Sequence, residues 1–94
     1  MELLTARVAG LDVHQATVVA TIRVPGEGGR RMVTETFGTM TADLVALRDW
    51  LQAYGVTHVA LESTGVYWKP VYYMLEDACT LLLINMVTLK HVPG

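Results

Sequence analysis

The hydrophobic period of this chain changes part-way along, and that change decides what it can fold into. In "TVVATIRV", Thr17 to Val24, apolar residues alternate. Val18, Ala20, Ile22 and Val24 fall on one side, and Thr17, Thr21 and Arg23 on the other with Val19 among them. Period two is the mark of a half-exposed strand. After residue 40 the spacing becomes three and four: Leu44, Leu47, Leu51 and Tyr54 share one helical face. A chain that switches period this way must pack a helix on a sheet.

The remaining segments fit around the switch. "ARVAGLDV", Ala6 to Val13, is apolar and reads as a strand buried on both faces. "PGEGG", Pro25 to Gly29, is a turn by composition, and "RMVTETF", Arg31 to Phe37, an outer strand. Thr41 is the expected N-cap of the first helix. Asp43 favours the positive helix start, and Gly55 stands where a C-cap glycine belongs. "VTHVAL", Val56 to Leu61, returns to strand. Val71, Met74, Leu75 and Ala78 mark a second helix with Pro70 in its first turn, and "TLLLINMV", Thr80 to Val87, is a further buried strand.

The order β-β-β-α-β-α-β implies an antiparallel meander followed by two βα units, hence a mixed α/β sheet with helices on its faces. Right-handed crossovers put the fourth strand beside the first. That is the 3-2-1-4-5 order of the ribonuclease H-like fold, although other α/β folds begin in the same way.

A chain of 94 residues suits one small domain, and 52% hydrophobic content is enough for a core. Seven basic against nine acidic residues give a net charge of -2, which argues against a DNA-coating surface but not against an acidic site acting on DNA. The single cysteine, Cys79, reads as a buried free thiol of a reducing cytosol. No apolar run approaches the roughly 18 residues of a membrane span. "MELLTARVAG" lacks the basic head and long apolar segment of a signal peptide.

Two carboxylates stand out. Asp12 lies near the end of the first strand, and Glu62 ends the fourth. If those strands are parallel neighbours, both acids emerge at one sheet edge, where open α/β sheets place their sites. Close carboxylates repel and raise each other's pKa unless a cation sits between them. Mg²⁺ is the natural cation, preferring hard oxygen ligands. Two such ions can activate an attacking oxygen and stabilise a leaving one. The plain alternative is that both acids mark strand tips in solvent.

Three blocks carry a resemblance: "GLDVHQATVVATI" (Gly10 to Ile22), "ALESTGVYWKPVYYMLE" (Ala60 to Glu76) and "LLLINMVTLKHVPG" (Leu81 to Gly94). In order and spacing they resemble the N-terminal domain of the DEDD transposases of the insertion-sequence 110 group. "ESTGVYWKP" is the specific block; "GLDVH" alone would be weak. The resemblance implies a RuvC-like, ribonuclease H-type domain whose Asp-Glu-Asp-Asp tetrad holds Mg²⁺ or Mn²⁺ for DNA strand cleavage and transfer. It places the first acid at Asp12 and the second at Glu62. The third and fourth are expected soon after a segment like "KHVPG", and a C-terminal domain with a strand-exchange serine after them. Residues 1–94 are therefore expected to be the front part of a transposase catalytic domain, incomplete at the C-terminus, with no second domain. The resemblance further implies DNA as substrate, a structured RNA encoded by the same element, a bacterial or archaeal cytoplasm, and no membrane. Gln15 and Asn85 to Thr88 depart from the commoner family wording and leave both acids untouched.

Other residues admit two readings each. His14, two residues after Asp12, either touches metal, water or phosphate or shapes the turn. Ser63 and Thr64 either contact a nucleic-acid backbone or cap the following helix. Tyr67 and Trp68 either stack on a splayed base or pack the loop. Lys69 is a phosphate-contact candidate, the one cation beside Glu62; Lys90 and His91 are others. His58 reads as a satisfied strand histidine, and Arg30 and Arg31 as hairpin-tip charges.

Two other function classes compete. An actin-like sugar kinase or ATPase also opens with a strand, an Asp and a hairpin, but cradles phosphate with a glycine-bearing turn. "DVHQAT" has no glycine there. An inactive folded remnant or interaction module is the third reading. The apolar face or open edge left around the last strand is expected to drive self-association into a homo-oligomer.

Overall fold

A computed structural model describes residues 7–26 and 29–84. The elements follow the order β1 (Val8–Val13), β2 (Val18–Gly26), β3 (Gly29–Phe37), α1 (Thr41–Ala53), β4 (His58–Ser63), α2 (Trp68–Leu75) and β5 (Thr80–Ile84). They form one five-stranded sheet, β3-β2-β1-β4-β5. β1 pairs antiparallel with β2 and parallel with β4, and β5 continues the parallel half. The fold is the mixed α/β, ribonuclease H-like sheet that the order of elements predicts.

The registers show why one face becomes the core. Ala9, Leu11 and Val13 lie opposite Ile22, Ala20 and Val18 on one side and Val59, Leu61 and Ser63 on the other. Residues in register share a face of the sheet, and all nine are buried. α1 lays Leu44, Leu47 and Leu51 on this face, and α2 adds Val71 and Leu75. Each such side chain stabilises the fold by about 1.5–3 kcal/mol relative to exposure. Phe37, Trp50 and Tyr54 extend the core outward as two edge-on ring pairs with centroids 5.4 Å apart.

Two expectations are corrected here. β1 is not buried on both faces: Val8, Gly10 and Asp12 alternate outward. Its apolar composition conceals this because Val8 and Gly10 are as acceptable in a core as outside one. Nor do helices cover both faces. α1 and α2 touch each other and pack against the same side of the sheet. The opposite face is open among the described residues and exposes Val8, Met32 and Leu82.

Smaller differences concern the ends. Thr41 is the first helical residue of α1, not its cap; Met40 holds that position, and its N–H donates to Asp43 Oδ2 at 3.2 Å. Asp43 thus satisfies the N–H of the cap residue, the return half of a capping box, rather than the helical N–H groups a Thr41 cap would serve. Gly55 ends α1 as the sequence predicts, with φ +71°. Its N–H reaches the Gln52 carbonyl at 3.0 Å, and Val56 N–H the Leu51 carbonyl at 3.0 Å, the paired closure of a Schellman turn. β2 and β3 run through the expected turn until Gly26 faces Gly29. α2 begins at Trp68, so Pro70 lies in its first turn, and Ala78 falls beyond its end. Residues 85–87 of the expected last strand lie outside the described residues.

Candidate active site

Asp12 and Glu62 are register partners on the parallel strands β1 and β4. Both therefore leave the same face of the sheet, about 4.8 Å apart along the hydrogen-bonding direction. That face is the open one, and both residues are exposed. They sit at the C-terminal edge, one step from where β1 and β4 end at Val13 and Ser63. The strand geometry explains how a buried strand can finish on a glutamate: Leu61 and Ser63 turn into the core while Glu62, between them, turns out.

His14 follows directly after β1 and folds back on Asp12, with Nε2 3.2 Å from Oδ2. The imidazole occupies one carboxylate oxygen and leaves the other free. His14 N–H donates to the Thr17 carbonyl at 2.8 Å, which fixes the backbone of this turn. Across the edge, Thr64 N–H donates to the Val13 carbonyl at 3.1 Å and ties the loop after β4 to the end of β1.

The donor chemistry suits a hard divalent cation: two adjacent carboxylates, water-accessible, on rigid strands. No cluster of three or more His, Cys, Asp or Glu side chains that could hold a metal gathers among the described residues. Two carboxylates alone do not complete the oxygen shell such a cation requires.

The other predicted contacts divide. Thr64 and Lys69 are exposed at the same edge. Ser63 is 6% exposed and its Oγ donates to the Thr64 carbonyl at 3.1 Å, so it faces the interior, where a phosphate does not reach. Neither Ser63 nor Thr64 caps α2, whose N-cap is Tyr67 with no side-chain bond. His58 is a part-exposed strand residue bonded through Nδ1 to Thr57 Oγ1 at 2.8 Å. Lys90 and His91 lie outside the described residues. Sequence reading does not single out Thr39, whose hydroxyl donates to the Gln15 carbonyl at 3.2 Å and locks the β1–β2 turn to the start of α1. A contact between residues 24 apart leaves no local signal.

The family model of the DEDD transposases of the insertion-sequence 110 group, described as "Transposase", matches residues 9–94. No curated protein sequence matches the chain. Among solved structures, RuvC of T. thermophilus in complex with a Holliday junction substrate is similar at TM-score 0.62 and 13% identity, over 90% of this chain and 68% of that one. An exopolyphosphatase from Cytophaga hutchinsonii is similar at TM-score 0.55 and 13% identity, over 83% of this chain and 34% of its own. A Ppx/GppA family member from Aquifex aeolicus gives TM-score 0.51 and 12% identity, over 84% of this chain and 35% of its own. The chain thus spans about a third of the length of two of these neighbours, and the likeness to all three is one of fold.

Proposed function

The chain belongs to the DEDD transposases of the insertion-sequence 110 group, and from that membership we propose that it is the front part of a DNA-transposing catalytic domain in which Asp12 and Glu62 are the first two metal-holding acids. The observation that carries the reading is their register pairing on exposed positions of parallel neighbours. Solvent-exposed strand tips need no such pairing; a shared cation does. When bound, Mg²⁺ or Mn²⁺ would activate an attacking oxygen and stabilise the leaving one in DNA strand cleavage and transfer.

The residues of this chain do the positioning. Asp12 and Glu62 present hard oxygens from rigid strands. His14 fixes the orientation of Asp12 through the 3.2 Å contact. Thr64 and Lys69 offer a hydroxyl and a cation to a DNA backbone arriving at the edge. Asp12 and Glu62 are two of the four acids of the family tetrad, and two acids alone are not expected to cleave DNA. A structured RNA of the same element is a further partner, in a bacterial or archaeal cytoplasm. Among the described residues no helix is long and apolar enough to cross a membrane. The exposed Val8, Met32 and Leu82 on the open face support a homo-oligomer.

The kinase or ATPase reading shares the fold but not the turn. His14, Gln15 and Ala16 replace the glycine-bearing phosphate cradle, and the positive-φ glycines among the described residues lie elsewhere, at 29, 55 and 65.

Melting curves test the proposal. Millimolar Mn²⁺ is expected to raise the melting temperature of the wild-type chain. At 100 times the dissociation constant the gain is about 2.7 kcal/mol, and it is less at lower saturation. Asp12→Asn or Glu62→Gln abolishes the gain. Without metal either change is neutral or stabilising, because it removes the repulsion of neighbouring like charges. Equal destabilisation of both variants with and without metal would make the acids structural.

A further inference from the structure

A second site lies at the same edge of the sheet, on its helix-covered side. A hollow of about 390 Å³ opens between the β1–β2 turn, the start of α1 and the start of α2. Its floor is apolar, with Leu44 and Val71. Tyr67 and Lys69 stand on one side of it, Gln15 and Thr39 on the other. Apolar walls with a few convergent polar groups are the make-up of a small-ligand pocket, and this volume falls within the usual range.

The wall residues specify the ligand. Tyr67 is 39% exposed and borders the hollow. It lies over Gly65, where an added Cβ would meet ring carbons at 3.8 and 3.9 Å. Gly65 has φ +56°, a backbone shape that disfavours side chains. Lys69 makes no ion pair among the described residues. Gln15 brings a side-chain amide that can donate or accept, and the Thr39 hydroxyl, which donates to the Gln15 carbonyl, keeps its acceptor capacity. A flat π-face, a free cation and adaptable hydrogen-bonding groups around an apolar floor match a nucleotide: base, phosphate and base edge in turn. A larger hollow of about 560 Å³ lies on the open face at the opposite end of the strands, lined by Val8, Met32 and Leu82 with Arg23 and His58, and has no Phe, Tyr or Trp in its wall.

We propose that the hollow bounded by Tyr67, Lys69, Gln15 and Thr39 takes one unstacked nucleotide of a single strand, its base on Tyr67 and its phosphate on Lys69. The site rests on the nucleic-acid reading above and deepens it. Gln15 is three positions beyond Asp12, and the turn between them is held by His14 and Thr17. A strand crossing the edge would thus have one nucleotide gripped on the helix side while its backbone passes the carboxylates. The site would position the strand rather than react with it.

The test is fluorescence anisotropy of the 94-residue chain in EDTA with labelled decathymidylate, its ribonucleotide counterpart decauridylate, and a decamer of abasic phosphodiester. Decathymidylate or decauridylate is expected to bind about tenfold more tightly than the abasic strand, in keeping with stacking of one base. The tighter of the two identifies the strand as DNA or RNA. Tyr67→Ala lowers binding of the base-bearing strand to the abasic level, while Tyr67→Phe retains it. Lys69→Gln weakens all strands and reduces the steepness of the salt dependence by about one phosphate contact. Equal binding of abasic and base-bearing strands overturns the proposal, as does a Tyr67→Ala chain, folded by circular dichroism, that binds as wild type. Loss of metal stabilisation with retained oligonucleotide binding would sink the metal reading alone; the reverse would sink only the pocket.

Discussion

At the scale of single residues, the structure turns on which side chains leave the core and which stay. Cys79 stays, half-buried just after α2, and burial pushes its thiol above the ordinary value of 9.0. Desolvation disfavours the thiolate, so the folded chain holds the proton more tightly than the unfolded one. The associated stability is fully present below pH 9.0 and is lost as pH rises through the raised folded value. Alkaline melts of wild type and Cys79→Ala check this: the wild type should lose stability more steeply above pH 9.0, and parallel curves would contradict it. Asp12 and Glu62 show how far residue types alone can be read. A carboxylate that interrupts an apolar strand marks an outward position, and two of them at strand ends point to one edge. Ser63 shows the limit. Its type suits a cap or a phosphate contact equally, and only the register, which sends it opposite Val13 into the core, decides.

At the scale of elements, period carries most of the information and ends carry less. The switch from alternation to a three-four spacing reveals α1, and glycine at its close reveals the Schellman turn. Gly55→Ala should therefore cost about 1–2 kcal/mol, because φ +71° is strained for any residue with a Cβ. The space there is adequate, with Arg7 Cδ 3.6 Å from the added atom, so the penalty is conformational rather than steric. A fall in melting temperature of about 4–16 °C is expected, and an unchanged melt would contradict the left-handed turn. The start of α1 was less legible. Thr41 is the better cap by type, yet Asp43 satisfies the Met40 N–H and the helix begins one residue earlier than a Thr41 cap predicts, with Thr41 already inside it. Solvation of β1 was not legible at all, since nothing local to "VAGLDV" shows that helices pack on one side only.

At the scale of the whole molecule, the sheet order follows from chain direction and crossover handedness, and it brings the two acids together across 50 residues of sequence. The asymmetry of the layers is the feature that sequence order does not convey. One face is covered by α1 and α2; the other, open among the described residues, exposes Met32 at 60% and Leu82 at 63%. Such a face predicts association of the chain with a second copy of itself. Light scattering should record dimers or larger species, shifted toward monomer by Met32→Lys with Leu82→Lys. A clean monomer of the unsubstituted chain at high concentration would contradict the expectation.

The central claim is that Asp12 and Glu62 act as one oxygen donor pair for a divalent cation. A Mn²⁺ titration followed by electron paramagnetic resonance measures this most directly, because free Mn²⁺ gives the sharp signal and bound Mn²⁺ does not. The wild-type chain should remove one Mn²⁺ per chain from the free signal at millimolar concentration, and Mg²⁺ should release it. Asp12→Asn and Glu62→Gln should each abolish the binding, since one carboxylate does not hold a strongly hydrated ion. Equal Mn²⁺ uptake by wild type and both variants would show that the paired acids do not share a cation.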